Sequence, residues 1–581
     1  MRYKWLVALV ISLSFGFNHI IGKLSNPNYT PFALTGVSRG GTFDEAYCYV
    51  PSINAVRFDK PLGDWQTWEY RDGPRVQPTL GPYLFGHLAK IIGLENLYVV
   101  SDFIFPPLVF LAFYFLAKLL TKKELLSIMA SLVLIGKEPL QSFIFKLGVS
   151  VIKYRGLEYF SDYLNSLNRP LGLARFDSPQ FSFLMLTIGL TIFFQALKLK
   201  RIGLYVLTGF LFGLQWYIYS YYAVFLTLVL LAALVIARSR LTIMATITAF
   251  LTSLSYWVNY LKFNILPQAA DFLQRAGRED GRWFDSNSLL LVLFLLIIGI
   301  LPLEINKNKL RPIFISSLLL AAFGSLNLQI LTGFSVQHFH WQSVVVTPTV
   351  ILTLFYILGF FKSLTRFKSI LVSLVVLLSV AIFSRNFLIA RNTVQAYKKD
   401  SGLEQAYAWI NHNLESGSVI MTPSTESNYW LIIRTKAYIF NPHGLHSLAS
   451  TEELVKRLAL TLAIFDVDTT FKDQFLAYHP APGIQPYTHE SLNLNGYEYI
   501  FDTKFGLFGP QSDEVKTVLA DAKTIFLNTA EVSVSEARNQ YRLDYLFVGP
   551  QEKRISSPDF DSSNNLTKIF DNQSVQIYKV L

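Results

Sequence analysis

The chain has 581 residues, 52% hydrophobic and only 16% charged, well short of the roughly one-quarter charged residues of a soluble domain. Its formal charge of +11 comes largely from short Lys and Arg clusters beside apolar blocks, a placement that excludes the basic stripe of a nucleic-acid binder. Cys48 is the only cysteine, which excludes an internal disulfide framework.

In chain order, Arg2 and Lys4 precede a first apolar run at about 5–21. No small-x-small cleavage site follows, so the run reads as a retained span rather than a leader. Further apolar runs lie near 97–117, 125–145, 180–197, 202–219, 221–237, 241–259, 288–303, 312–330, 343–361 and 367–388. Each approaches the ~20 residues needed to cross a bilayer. Lys137 and Glu138 interrupt the run at 125–145, which reads equally as a buried or re-entrant helix.

Basic residues recur after every second run: Lys118, Lys122 and Lys123; Lys198, Lys200 and Arg201; Arg238 and Arg240; Lys307, Lys309 and Arg311; Lys362, Arg366 and Lys368. With Arg2 and Lys4, all fall on one side if there are eleven spans, and positive-inside bias makes that side cytoplasmic. The fold class expected is therefore a polytopic α-helical membrane protein with a soluble α/β domain at its C-terminal end. Residues 1–390 form the helical domain, with long outer loops at 22–96, 146–179 and 260–287. Residues 391–581 form the domain outside a cell membrane. There Leu403–Leu414 has helical spacing, and strands are expected at 418–421, 437–440, 462–465, 545–548 and 574–580.

Polar chemistry concentrates in the loops, because spans tolerate few charges. The first loop carries Asp44 and Glu45 after Gly40-Gly41. Adjacent carboxylates there suit a general base or a divalent-cation site, and equally a solvated loop or helix cap. Glu69, Arg71, Asp72 and Arg75 follow beside Trp65, Trp68 and Tyr70. Aromatic faces suit sugar rings and guanidinium forks suit phosphate, whereas an interfacial aromatic belt with local ion pairs uses the same residues. The second loop offers Glu158, Asp162, Arg175 and Asp177. Arg175 and Asp177 read first as a local pair capping the next helix, then as phosphate and cation contacts. Arg282 lies in the charge run of the third loop. Gln337, His338 and His340 close the list. The i, i+2 histidines diverge on a helix and lack the HExxH zinc pattern, so hydrogen bonding to phosphate or bundle packing is the expectation.

The layout, with Phe43-Asp44-Glu45 in a long first outer loop and a C-terminal outer domain, resembles the GT-C superfamily of integral membrane glycosyltransferases. Ala406-Tyr-Ala-Trp409-Ile410, Asp544–Pro550 and Val575–Val580 look like bacterial membrane proteins of that general type. The resemblance covers nearly the whole chain as topology and is weak as sequence. It lacks a Trp-Trp-Asp signature, which disfavours the oligosaccharyltransferase branch. It implies a polyprenyl-phosphate-linked sugar as donor and a glycan, lipid or protein acceptor. Asp44 is the implied catalytic carboxylate, with Glu45 as substitute. Branches of the superfamily differ in metal use, so Mg or Mn held by Asp44, Asp162 or Asp177 stays open. A transporter or flippase of lipid-linked intermediates and a non-catalytic envelope-assembly scaffold are the alternatives.

Overall fold

The computed structural model describes residues 3–25, 29–31, 49–75, 77–136, 180–237, 239–300, 310–361, 367–396, 400–467, 520–521, 524–525, 529, 532–556 and 558–581. Asp44, Glu45, Glu158, Asp162, Arg175 and Asp177 lie outside these residues, as does the second half of the 125–145 run.

Every one of the eleven apolar runs contributes a helix among the described residues. The helices in chain order are α1 (Tyr3–Ser25), α2 (Val50–Arg57), α3 (Leu80–Ile92), α4 (Leu94–Thr121), α5 (Glu124–Ile135), α6 (Ser182–Leu199), α7 (Ile202–Leu214), α8 (Ser220–Ala237) and α9 (Arg240–Asn264). They continue with α10 (Ala269–Arg275), α11 (Ser288–Ile300), α12 (Leu310–Leu326), α13 (Phe339–Leu358) and α14 (Lys368–Ala396). Five of them, α1, α4, α6, α9 and α13, are long and apolar enough to cross a membrane. Six runs give shorter apolar helices among the described residues, so the structure establishes eleven apolar helices rather than eleven crossings.

These helices pack as a bundle: α1 lies on α4 and α14, α8 on α12, and α7 on α9. The α7–α9 seam is close because α7 presents Gly209 and Gly213 to it. A Cβ on Gly209 would sit 2.3 Å from the Ala245 carbonyl oxygen, and one on Gly213 2.6 Å from that of Ala249. Small residues four apart let two backbones approach and gain dispersion contact where hydrophobic driving force is absent. Outward, α9 exposes Ile243, Ile247, Phe250, Leu251, Leu254, Val258 and Leu261, an apolar surface of the kind that meets lipid or a partner.

The bundle has two unlike ends. At the basic end, Lys4 lies over the Tyr114 and Phe115 rings, and Lys123 donates to the Phe361 carbonyl. At the other end stands the C-terminal domain. Helix α4 reaches toward both. Its start supplies Leu94, Leu97 and Tyr98 to a core shared with the domain, while Val109, Phe110 and Phe113 belong to the bundle core. Between these stretches lie Pro106 and Pro107. A proline has no N–H for the carbonyl four residues earlier. Ser12 of α1 fills the vacancy at Phe103, donating its hydroxyl to that carbonyl at 2.7 Å.

Two strands outside the domain, β1 (Arg278–Asp280) and β2 (Phe334–Val336), join the third loop to the stretch leading into α13 as an antiparallel ribbon. The domain adds α15 (Ser401–Asn413), α16 (Thr425–Arg434), α17 (Thr451–Ile464) and α18 (Val534–Gln540) around a five-stranded sheet. Its strands are β3 (Val419–Met421), β4 (Tyr438–Ile439), β5 (Tyr545–Val548), β6 (Leu566–Asp571) and β7 (Gln576–Val580), in the order β4-β3-β5-β7-β6. Strand β3 pairs in parallel with β4 and β5, whereas β7 runs antiparallel to β5 and β6. Alternate residues serve two cores: Ile420, Phe547 and Ile577 face the loop and bundle side, and Met421, Leu546 and Tyr578 the other.

One expected strand is a helix. Leu462–Phe465 ends α17, whose Ser450 cap accepts the Glu453 N–H and whose Leu454, Val455, Leu458 and Leu462 recur at helical spacing. A short apolar run cannot by itself separate a buried strand from a buried helix turn.

The α7–α9 seam yields a test. Gly209→Leu should lower stability by about 2–3 kcal/mol through overpacking, seen as a lower Tm of the full chain in detergent. Gly203→Ala, with open space around its Cβ, should keep or raise the Tm.

Candidate functional site

The described part of the first loop is a brace against the C-terminal domain. Asn54 donates to the Ile432 and Thr435 carbonyls at 3.0 and 3.1 Å. The Ile439 N–H donates to the Gln66 carbonyl. Lys60 is buried, donates to the Ala437 carbonyl at 2.6 Å, and lies 4.3 Å from the Tyr438 ring centroid. Burial pushes its ammonium down to about 7.

Asp64 is fully buried and accepts four hydrogen bonds, from the Gln66, Thr67 and Leu448 N–H groups and the Ser447 hydroxyl. Burial raises its pKa, and those four donors oppose the rise. Arg275, at the end of α10, enters the same region from the third loop. It donates to the Gly444, Ser447 and Ala449 carbonyls, to the Thr451 hydroxyl and to Asp271. The first and third loops thus meet on residues 444–451 of the domain. His443 and His446 stack there with centroids 5.4 Å apart. Burial drives both imidazoles down, His446 to about 3, and His446 and Arg275 lower His443 further.

A second polar cluster lies where the bundle meets this brace. His19 of α1 and Asp102 of α4 are 2% and 3% exposed. His19 Nε2 is 2.9 Å from Asp102 Oδ2, and its Nδ1 is 2.6 Å from the Tyr29 hydroxyl. Gln180 donates to Asp102 Oδ1 at 2.7 Å. A carboxylate only accepts, so Nε2 carries a proton toward Asp102; in the neutral imidazole the Tyr29 hydroxyl is then the donor to Nδ1. Burial, then the Asp102 and Glu95 charges, push the Tyr29 phenol far up, so it holds its proton. Tyr29 stands just before the segment carrying Asp44 and Glu45, and Gln180 just after the one carrying Glu158, Asp162, Arg175 and Asp177. One network therefore ties the flank of each acidic loop to the same two helices.

A third cluster joins the ribbon to α11. His338 Nε2 is 2.8 Å from Asp285 Oδ2, and Gln342 donates weakly to the same oxygen at 3.4 Å. Asn287 donates twice to Asp285 Oδ1. Burial alone would raise the Asp285 pKa. The His338 hydrogen bond, the Asn287 N–H and the His338 charge outweigh it and hold the carboxyl below its usual range.

The remaining expected residues are placed as follows. Glu69 pairs with buried Arg457 at 3.0 Å and accepts the Arg542 N–H. Arg71 lies 3.6 Å from the Trp68 ring centroid, donates to the Trp68 carbonyl and pairs with exposed Asp72 at 3.4 Å. Arg282 donates to the Ile330 and Leu331 carbonyls. Gln337 bridges by its N–H to Gly277, with φ at 46°. His340 Nδ1 is 3.1 Å from the Tyr219 hydroxyl, so the two histidines serve different partners. Arg75 is exposed and makes its described contacts through its backbone, exchanging hydrogen bonds with Asn259 of α9. On the same helix end, Tyr256, Trp257 and Tyr260 cluster with Trp216, whose ring centroid is 4.5 Å from that of Trp257.

The sequence reading did not single out His19, Asp102 or Asp64; it named Gln180 only as the end of the second-loop string, and Arg275 only within the third loop's charge run, as a solvated face or a phosphate contact. The signal available for the first two was an ionisable residue within an apolar run, which demands a partner. Among the described residues, no three His, Cys, Asp or Glu side chains are placed to hold a metal. No family model fits the chain and no curated protein is significantly similar to it.

Two predictions follow from these contacts. Asp102→Ala strips His19 and Gln180 of their acceptor and should cost about 1–3 kcal/mol for each stranded donor, read as a fall in Tm that Asp102→Asn partly restores. For the stacked histidines, the unfolded chain takes up protons below about pH 6.5 while the folded state resists. Stability is therefore lost as pH falls from about 6.5 toward 3, by up to about 1.4 kcal/mol per pH unit per histidine. Asp64, with its raised pKa, contributes the opposite slope. His446→Gln should flatten the fall in Tm between pH 7 and 4.5.

Proposed function

We propose that the chain is an integral membrane glycosyltransferase of GT-C type, moving a sugar from a polyprenyl-phosphate donor to an acceptor hydroxyl. In this reading eleven helices cross the membrane. The basic end is cytoplasmic, and the C-terminal domain and the polar loops lie on the other side.

The observation that carries the reading is the network of His19, Tyr29, Asp102 and Gln180. It anchors the flanks of both acidic loops at the domain end of membrane-length helices. That is where a donor with its chain in lipid and its sugar in water would be met. Asp44 takes the proton of the acceptor hydroxyl as the oxygen bonds to the anomeric carbon. The bond from that carbon to the phosphate oxygen breaks, and the lipid phosphate leaves with the electron pair. Leaving-phosphate charge is best met by fixed cations. Arg75 suits this role better than Arg71 or Arg282, because it is exposed beside the aromatic cluster while the other two donate to carbonyls within the protein. Asp102 and His19 act as positioning residues through Tyr29.

A transporter of lipid-linked intermediates is the second reading, favoured by the same buried His19–Asp102 pair inside apolar helices. Asp44→Asn should abolish transfer from a labelled lipid-linked sugar while leaving the Tm unchanged. Normal turnover by that variant would overturn the assignment to Asp44. Counterflow of the labelled lipid across sealed vesicles, with no transfer, would favour the transporter.

A further inference from the structure

At the basic end of the bundle lies a cavity of about 280 Å³, lined by Lys118, Lys122, Lys198 and Arg311 with Leu119, Phe194 and Leu310. The four cations come from three separate stretches of chain: the end of α4, the end of α6 and the start of α12. Among the described residues, no carboxylate lines it. Lys118 also donates to the Lys122 carbonyl at 3.2 Å, closing the C-terminal turn of α4 around the cavity. Lys122 caps that helix in the left-handed conformation, with φ at 60°.

We propose that this cavity is a binding site for a phosphate-bearing anion, and specifically for the headgroup of an anionic phospholipid. Cations gathered in one recess repel each other unless an anion lies between them. Basic recesses between membrane helices are suited to acidic headgroups. The volume sits at the low edge of the roughly 300–1,000 Å³ of ligand pockets, which fits a headgroup and not a whole cofactor. The apolar wall of Leu119, Phe194 and Leu310 gives the first carbons of an acyl chain a surface to lie on. Arg311 offers the planar fork that matches phosphate oxygens, and the lysines add point charge. The site stands at the opposite end of the bundle from the proposed reaction centre and does not depend on that reading.

The test uses the full chain in nanodiscs of phosphatidylcholine, with and without phosphatidylglycerol, and in detergent with inorganic phosphate. Native mass spectrometry counts retained lipid, and thermal unfolding reads stabilisation. Phosphatidylglycerol should be retained and should raise the Tm. Lys198→Gln with Arg311→Gln should abolish both effects while leaving the Tm in phosphatidylcholine unchanged. Lys200→Gln with Arg201→Gln, on the same linker and outside the cavity lining, should change neither. Equal loss in both double variants would reduce the effect to general surface charge and overturn the site. Stabilisation by inorganic phosphate equal to that by phosphatidylglycerol would overturn the lipid as ligand and leave a soluble phosphate. Retention of phosphatidylglycerol by the Lys198/Arg311 variant would overturn the proposal outright.

Discussion

A buried carboxylate and a buried guanidinium hold the assembly in register. Asp64 and Arg275 both close on residues 444–451, one from the first loop and one from the third. Neither side chain reaches water, so each must be met by fixed dipoles, and a buried charge that loses its partner costs roughly 3–5 kcal/mol. Apolar packing alone would let the loops slide over the domain. Hydrogen bonds with defined donors and acceptors allow one arrangement, and the positions of Lys60, Glu69 and Trp68 against the domain follow from it.

That arrangement changes the meaning of the first loop. Its sequence reads as a ligand surface, because arginines and carboxylates beside tryptophans suit sugar and phosphate. Much of that chemistry is turned inward. Glu69 neutralises an Arg457 that has no exposure at all, and Trp68 packs against Gly417, where a Cβ would lie 2.3 Å from the ring. Asp72 and Arg75 stay exposed, and Arg75 is the cation of the two, held by its backbone to Asn259 at the aromatic end of α9. The loop's role as a brace gives the proposed reaction a rigid wall.

The helices were legible in the sequence because hydropathy is a local property. Each of the eleven runs contributes a helix among the described residues, and the residues that end these helices bring Lys118, Lys198 and Arg311 to one end of the bundle. The strands at 419–421, 438–439, 545–548 and 576–580 were legible for the same reason. Strand β6 was not, because Leu566–Asp571 mixes charge with apolar residues at a sheet edge. Helix α17 was misread at its end because four apolar residues carry no period. The polar clusters were illegible for a different reason. His19 and Asp102 are 83 residues apart, and Asp64 and Ser447 are 383 apart. No spacing rule reaches across such distances. A single histidine or aspartate in an apolar run shows that a partner must exist without showing which.

The proline pair in α4 has a mechanical consequence. Above it the helix is bonded into the domain's core, and below it into the bundle's. Two missing N–H groups make this the most compliant turn along α4, with Ser12 of α1 acting as a tether across it. A load on the domain that reaches α4 concentrates as bending at Pro106 and Pro107, one turn from Asp102. A tilt of the domain carried along α4 would therefore change the angle at which Asp102 meets His19 of α1.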